Sequence, residues 1–155
     1  MVSLYDWQFQ VDREATKEKT DANARDHCTC GYCRNFYENV SKSCREILPF
    51  LGRFGINVEG PSELMPYEPT LLLACYRVTG KILRWGTVPL RAGRVPVSVG
   101  AGTDGSFLLW VGELRVPWTQ GEPEEDVVSP ANLPEFLERM EQMWQLRHDA
   151  ETWIS

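Results

Sequence analysis

The chain has 155 residues, of which 43% are hydrophobic, 25% charged and 11% aromatic. This length and composition are those of one soluble globular domain spanning residues 1–155, and they exclude a fibrous or largely disordered chain. The net charge of −6 predicts that neither nucleic acid nor a membrane is a partner, and leaves a protein partner or a homo-oligomer open. The net charge is −3 for residues 1–68, +4 for residues 69–121 and −7 for residues 122–155.

The N-terminus and the cysteine content indicate a cytoplasmic protein. Met1 to Asp6 lack the basic start and apolar stretch of a secretory signal, and the longest apolar run, Leu71 to Tyr76, is too short to cross a bilayer. The five cysteines are odd in number and clustered, which favours a reducing compartment over a disulfide scaffold. We therefore expect free or metal-bound thiols.

The first 55 residues predict a strand and then two helices. Residues 4–11 alternate apolar and polar side chains, which is the period of a half-buried strand with its aromatic residues in the core. Asp12 is a suitable cap for a polar helix that continues to Ala24. A second helix follows, and Pro49 should bend it or make its last turn irregular. Its apolar stripe consists of Phe36, Tyr37, Val40, Cys44, Ile47, Leu48 and Leu51.

Short strands with glycine turns dominate the middle of the chain. Residues 56–69 contain three prolines and are expected to be an extended connector. Between residues 71 and 117, turn signals at about ten-residue spacing predict an antiparallel meander of four to five strands. Its strands are Leu71–Val78, Ile82–Val88, Val95–Val99 and Phe107–Val116. Pro89 and Pro96 cannot donate to a ladder, so they should lie at an edge or a bulge.

An amphipathic helix is predicted for residues 130–153, because Asn132 and Glu135 form a capping box ahead of an apolar stripe. The stripe consists of Leu133, Phe136, Leu137, Met140 and Trp144 and should pack on the sheet. The acidic tail and the basic central segment should also attract each other. The predicted fold class is therefore α+β: a strand and helical part over residues 1–55, an antiparallel sheet over 71–117 and a C-terminal helix packed on it.

The densest chemistry lies at residues 27–34, His-Cys-Thr-Cys-Gly-Tyr-Cys-Arg. Thiolates and imidazole are the ligands that zinc takes in proteins. Cys28, Cys30 and Cys33 can converge if the chain turns tightly at Gly31, and His27 or a residue elsewhere would supply the fourth ligand. The strongest zinc signature has two separated ligand pairs, whereas this chain has one cluster. The cysteines could also be small residues at a loop-to-helix junction.

The other two cysteines are predicted to be buried apolar residues. Cys33 and Cys44 are eleven residues apart. On one helix that is about 16 Å, which is too far for two ligands of one ion. Cys75 lies in an apolar run and would join the cluster only if its strand passed beside it.

A redox interpretation competes with zinc. Cys30-Gly31-Tyr32-Cys33 resembles the active-site motif of thioredoxin-like oxidoreductases, with Cys30 as the attacking and Cys33 as the resolving thiol. That fold requires a strand directly before the motif and a mixed sheet around it, whereas here eighteen mostly polar residues separate the motif from the predicted strand and the sheet pattern is antiparallel.

Residues 27–37 also resemble a string near the start of small uncharacterised bacterial proteins of unknown function. The resemblance implies a bacterial, cytoplasmic protein and supplies no activity.

Two other motifs favour structural interpretations. Gly100 to Gly105 matches a dinucleotide fingerprint but is followed by a strand pattern, which favours a hairpin loop. The acidic residues between 122 and 126 are more typical of a solvated connector than of a cation site.

Together these patterns favour a non-enzymatic binding or interaction protein with zinc as its possible cofactor. The candidate metal ligands are His27, Cys28, Cys30 and Cys33. The alternative is a thiol–disulfide redox protein that uses Cys30 and Cys33. No catalytic residue is assigned outside that alternative, because neither histidine lies in a recognisable nucleophile motif.

Overall fold

The computed structural model describes residues 1–121. The helix predicted at 130–153, its packing on the sheet and the acidic segment 122–126 lie outside these residues. Within them the fold is α+β, as predicted, with three α-helices and an antiparallel sheet of seven strands instead of four or five. The helices are α1 (Arg13–Arg25), α2 (Gly31–Ser43) and α3 (Leu48–Arg53). The strands are β1 (Val2–Leu4), β2 (Trp7–Val11), β3 (Glu63–Glu68), β4 (Leu71–Arg84), β5 (Leu90–Ala92), β6 (Val95–Ala101) and β7 (Ser106–Arg115).

The sheet runs in the order β1-β2-β4-β7-β6-β5, and β3 adds to β4. Strand β4 is long enough to pair with β3 and β7 along its first part and with β2 beyond Thr79. Strand β6 begins at Val95, before its pairing with β7 starts at Val97. Pro96 lies in this first part of the strand, opposite Arg91 of the edge strand β5. The edge position predicted for Pro96 is therefore confirmed.

The N-terminal strand prediction was too long. Residues 4–11 are divided between β1 and β2 by a tight turn in which Tyr5 has a φ of 52°. The carboxylate of Asp6 stabilises this turn, because its Oδ2 accepts hydrogen bonds from the Thr87 amide at 2.7 Å and the Thr87 hydroxyl at 2.6 Å. Trp7 and Phe9 are buried as predicted, whereas Tyr5 is 80% exposed.

Helix α1 begins where the sequence predicts, with the Asp12 side chain accepting a hydrogen bond from the Ala15 amide. Its buried face is polar, because its fully buried residues are Thr16 and Thr20. The Thr16 hydroxyl accepts from the Thr79 amide of β4 at 3.0 Å, and the Thr20 hydroxyl accepts from the Asn57 amide at 2.9 Å. Two hydroxyls of α1 that accept hydrogen bonds from backbone amides replace the apolar stripe that the helix lacks.

The second predicted helix is two helices. Helix α2 ends at Ser43, and a single 3-10 turn over Arg45–Ile47 leads into α3. Pro49 lies in the first turn of α3, where its missing amide donor costs no hydrogen bond, so the proline begins a new helix instead of bending a continuous one. The predicted stripe still faces the interior, with Phe36, Val40 and Ile47 at 0% exposure.

Two predictions in the middle of the chain were wrong. The connector expected at 56–69 contains β3, which tolerates Pro66 because β4 is its described partner strand. The turn expected at Thr79-Gly80 does not occur, and β4 runs through it. Gly80 is needed there because a Cβ at this position would lie 1.9 Å from the Gln10 carbonyl oxygen of β2. The hairpin predicted at Gly100 to Gly105 is confirmed between β6 and β7.

The core lies between one face of the sheet and the helices α2 and α3. On the sheet it contains alternate residues of β4, β6 and β7, and the largest of these are Tyr76, Phe107 and Leu109. The Tyr76 hydroxyl donates to the Val58 carbonyl at 2.6 Å, so the buried ring keeps its polar atom satisfied. Among the helices of residues 1–121, none combines the length and apolar character that a bilayer crossing requires.

Candidate metal centre

Three cysteines meet where α1 gives way to α2. Cys28 lies in the connecting loop, Cys30 is the N-cap residue of α2, and Cys33 lies in the first turn of that helix. Their Sγ atoms all lie within 4.8 Å of one another, and none of the three is in a disulfide. The convergence expected from the spacing is therefore present.

The loop reverses sharply because the backbone of Cys30 is extended, with φ −64° and ψ 162°, immediately before helical residues begin at Gly31. This reversal brings Cys28 back over the start of α2, where its Sγ accepts a hydrogen bond from the Cys30 amide at 3.4 Å. An N–H directed at sulfur favours the thiolate form that metals bind. Cys28 is exposed, and Cys30 and Cys33 are half-buried, so the group is open to solvent on one side.

The sulfur spacing is close to that of a zinc centre. Zn–S bonds of about 2.3 Å in tetrahedral geometry hold two sulfurs about 3.8 Å apart. Since no pair of sulfurs here exceeds 4.8 Å, a contraction of about 1 Å or less brings the three into that geometry. Rotation about the side-chain torsions supplies shifts of this size without moving the helix.

Ionisation of Cys33 is disfavoured in the absence of a cation. Burial raises the pKa of Cys33 well above its usual range, and the neighbouring Cys30 and Cys28 raise it further. A bound divalent cation would reverse this balance because it stabilises several thiolates at once. The electrostatics of the group therefore suit a metal ion better than three separate anions.

His27 precedes Cys28 in the chain, and its ring nitrogens do not lie within 4.8 Å of all three sulfurs. Its ring stacks on Tyr37 with centroids 3.8 Å apart and an angle of 21° between the ring planes. Its Nδ1 lies 2.6 Å from the Cys28 carbonyl oxygen. A hydrogen bond at this distance requires a proton on Nδ1, which leaves the Nε2 lone pair of the neutral ring available.

Tyr37 forms the apolar side of the site. Burial raises the pKa of its phenol to about 12, and the neighbouring thiols Cys33, Cys28 and Cys30 raise it as well. The phenol therefore stays neutral beside the sulfurs at any physiological pH. The sequence pattern had marked Tyr37 only as part of a helical core stripe.

The helix that carries Cys33 is held rigidly against the sheet. Asn35 is 1% exposed, and its amide nitrogen donates to the Pro117 carbonyl at 2.9 Å while its Oδ1 accepts from the Thr119 amide at 2.8 Å. One turn nearer the cysteines, Tyr32 packs edge-on against Trp118 with centroids 5.7 Å apart. These contacts are more than eighty residues apart in sequence, and no local pattern could have predicted them.

The two remaining cysteines lie outside the group. Cys44 is 6% exposed, and its thiol donates to the Arg115 carbonyl at 3.4 Å. Cys75 is 2% exposed on β4 and does not complete the cluster. The prediction that both are buried apolar residues is confirmed.

No family model, no curated protein and no solved structure matches the chain. The resemblance of residues 27–37 to small bacterial proteins stays a prediction, as does the assignment of the chain to the cytoplasm.

Proposed function

We propose that this is a non-enzymatic binding protein that holds one zinc ion through Cys28, Cys30 and Cys33. The observation that carries the proposal is the convergence of three cysteine sulfurs within 4.8 Å, none of them in a disulfide. Two of the three sulfurs lie in or next to the first turn of α2, where the unpaired amides of the helix favour negative charge. Thiolate ligands are soft, and among abundant cellular metals they suit zinc.

We assign the fourth ligand to the Nε2 atom of His27. The contact between its Nδ1 and the Cys28 carbonyl supports this choice, because zinc-bound histidines commonly donate their other ring N–H to a carbonyl or carboxylate. To reach the metal, the ring would slide along Tyr37 toward the sulfurs. Three thiolates and one imidazole give the closed tetrahedral set of a structural zinc site.

A zinc ion here would fasten the loop between Arg25 and Gly31 to the start of α2. The described contacts of this loop include the stacking of His27 on Tyr37, the hydrogen bond from the Cys30 amide to the Cys28 sulfur, and hydrogen bonds of the Cys28 and Cys30 thiols to Cys33. Metal–ligand bonds would supply the order that these contacts provide only weakly. The expected role of zinc is therefore structural, and the partner that the ordered surface binds stays open.

The test is metal content together with a thiol count on protein purified without chelator. We expect about one zinc per chain and three thiols that react only after chelation. Cys30→Ser should remove the metal, whereas Cys75→Ser, a matched change at a buried cysteine outside the group, should retain it. Replacing zinc with cobalt(II) should give the charge-transfer absorption of thiolate ligation. His27→Ala should weaken metal binding and change the cobalt spectrum while leaving that absorption in place.

A thiol–disulfide redox protein is the second candidate, and the position of Cys30 at the N-cap of α2 favours it. In this mechanism the Cys30 thiolate attacks a substrate disulfide, forms a mixed disulfide and releases one thiolate. Cys33 then attacks the Cys30 sulfur, releases the second substrate thiol and leaves a Cys30–Cys33 disulfide. A dithiol reductant would restore the two thiols. Rapid reduction of a test disulfide by metal-free protein, abolished by Cys30→Ser, would favour this candidate.

A further inference from the structure

The sheet has a second apolar face, which we call the outer face. Along β4, Leu72, Ala74 and Tyr76 point into the core, so Leu73 and Cys75 point the other way. The strand register places further side chains beside them, since Met65 pairs with Leu73, and Cys75 pairs with Trp110. The outer face is defined by Met65, Leu73, Cys75, Leu108 and Trp110.

These side chains form a flattened apolar surface. A Cβ at Gly100 would lie 3.2 Å from the Trp110 Nε1, and one at Gly112 would lie 2.4 Å from a Leu73 methyl. The side chains of Trp110 and Leu73 therefore lie along the sheet surface, over glycines of β6 and β7, instead of projecting away from it. A surface levelled in this way is suited to packing against another element.

Two residues of the outer face are buried, whereas Leu73, Leu108 and Trp110 are half-buried. Met65 is 7% exposed although β3 lies outside the main path of the sheet, and Cys75 is 2% exposed. Neither belongs to the main core, which contains the buried side chains of α2 and α3. Within residues 1–121, no helix contributes to the core on this side of the sheet. Such an apolar face requires a cover.

The chain beyond Gly121 has the properties of that cover. Leu133, Phe136, Leu137, Met140 and Trp144 fall on one side of a helix. Residues 122–155 contain nine acidic and two basic side chains. By strand register, the outward-pointing charges of the sheet are mostly basic: Arg77, Lys81, Arg84, Arg91 and Arg115 against Glu63, Glu68 and Glu113. Eleven residues lie between Gly121 and Leu133, and the twelve steps from one to the other can span up to about 40 Å, which is enough to pass around the edge of the sheet.

We propose that the segment 133–144 of the same chain covers the outer face. Its apolar stripe lies against Leu73, Cys75 and Trp110, and its acidic side chains lie near the basic ones around them. A single chain then buries both faces of its sheet. This arrangement is independent of metal binding at Cys28, Cys30 and Cys33.

The thiol of Cys75 reports on the cover. We would measure alkylation of each cysteine by peptide mapping in the full chain, in Phe136→Asp/Leu137→Asp and in Gln142→Asp. Gln142 lies on the opposite side of the same helical pattern and is the matched control. The double variant should raise the alkylation rate of Cys75 at least about tenfold, and the control should leave it unchanged. Cys44, buried in the main core, should stay slow throughout, which shows that the protein remains folded.

An unchanged Cys75 rate in a folded double variant would overturn the proposal. If the double variant unfolds, Cys44 also becomes reactive, and the alkylation rates no longer test the proposal. Photo-crosslinking of the chain without substitutions then tests whether segment 133–144 covers the outer face. With photo-methionine incorporated, Met140 should link to peptides of β4 or β7. Equal mixtures of isotopically light and heavy chains identify the source of each link. Links within one chain support the proposal, whereas links between chains would assign the outer face to a second copy and contradict it, as would no link to either strand.

Discussion

Asn35 links the helix that carries Cys33 to the end of the sheet, and its replacement by alanine should destabilise the protein substantially. Asn35→Ala removes the hydrogen bond to the Pro117 carbonyl at 2.9 Å and the one from the Thr119 amide at 2.8 Å. A hydrogen bond is worth about 1 to 1.5 kcal/mol net, and Asn35 is 1% exposed, so water does not readily replace it. The expected loss in unfolding free energy is about 2 to 3 kcal/mol.

Urea unfolding followed by circular dichroism measures this loss, with an unchanged slope showing that the extent of unfolding is the same. Asn39→Ala is the matched control on the next turn of α2. Asn39 is half-buried, and its Nδ2 donates to the Asn35 backbone carbonyl at 2.9 Å, to the exposed Thr119 hydroxyl at 3.0 Å and to the Asn35 Oδ1 at 3.2 Å, so its loss should cost about 1 kcal/mol or less. If Asn35→Ala costs less than about 1 kcal/mol, or no more than Asn39→Ala, the anchoring role of Asn35 is wrong.

Three further predictions concern the scaffold. Thr16→Val keeps the side-chain shape but leaves the Thr79 amide without its acceptor, so urea unfolding should show a loss of about 1 to 2 kcal/mol; no loss would contradict the polar docking of α1. Hydrogen bonds from Thr87 lower the pKa of Asp6 from 3.8 to about 2, so Asp6 stabilises the fold above about pH 4 and loses this effect as pH falls toward 2. The Tm advantage of the wild type over Asp6→Asn should therefore shrink between pH 5 and pH 2, and a constant difference would refute this linkage. Gly60→Ala would place its Cβ 1.8 Å from a backbone oxygen of α1, so it should lower the Tm markedly, and an unchanged Tm would refute that close packing.

Periodicity predicted the parts of the fold that bury apolar side chains in a regular pattern. The stripe through Phe36 and Val40 marked the inner face of α2, and the alternation through Trp7 and Phe9 marked β2. Asp12 located the start of α1 because side-chain capping is a local interaction. These features depend on neighbours in sequence, which is why they could be read without the structure.

The wrong predictions occur where distant contacts override local signals. Thr79-Gly80 resembles a turn in the sequence. In the structure β2 approaches β4 so closely at Gly80 that only a glycine allows the two strands to pair there. Pro66 indicated a connector, but β3, whose described partner strand is β4, accommodates the proline because its other side needs no ladder donor there. The break after Ser43 has no proline or glycine beside it, so no breaker residue marked it.

The same distinction between local and distant contacts applies to the candidate site. Close spacing in the sequence brought Cys28, Cys30 and Cys33 to attention, and the sharp reversal at Cys30 explains how they meet. Tyr37 and Asn35 belong to the surroundings of the site through stacking and through hydrogen bonds to residues beyond β7. Such contacts arise from tertiary packing and leave no motif in the sequence.

The most direct test of the zinc proposal is the amount of zinc bound by full-length protein purified without chelator, measured together with its reactive thiols. We predict about one zinc per chain, and release of that zinc should expose the thiols of Cys28, Cys30 and Cys33. Protein without zinc that also fails to take up added zinc, while these three thiols react promptly, would contradict the proposal.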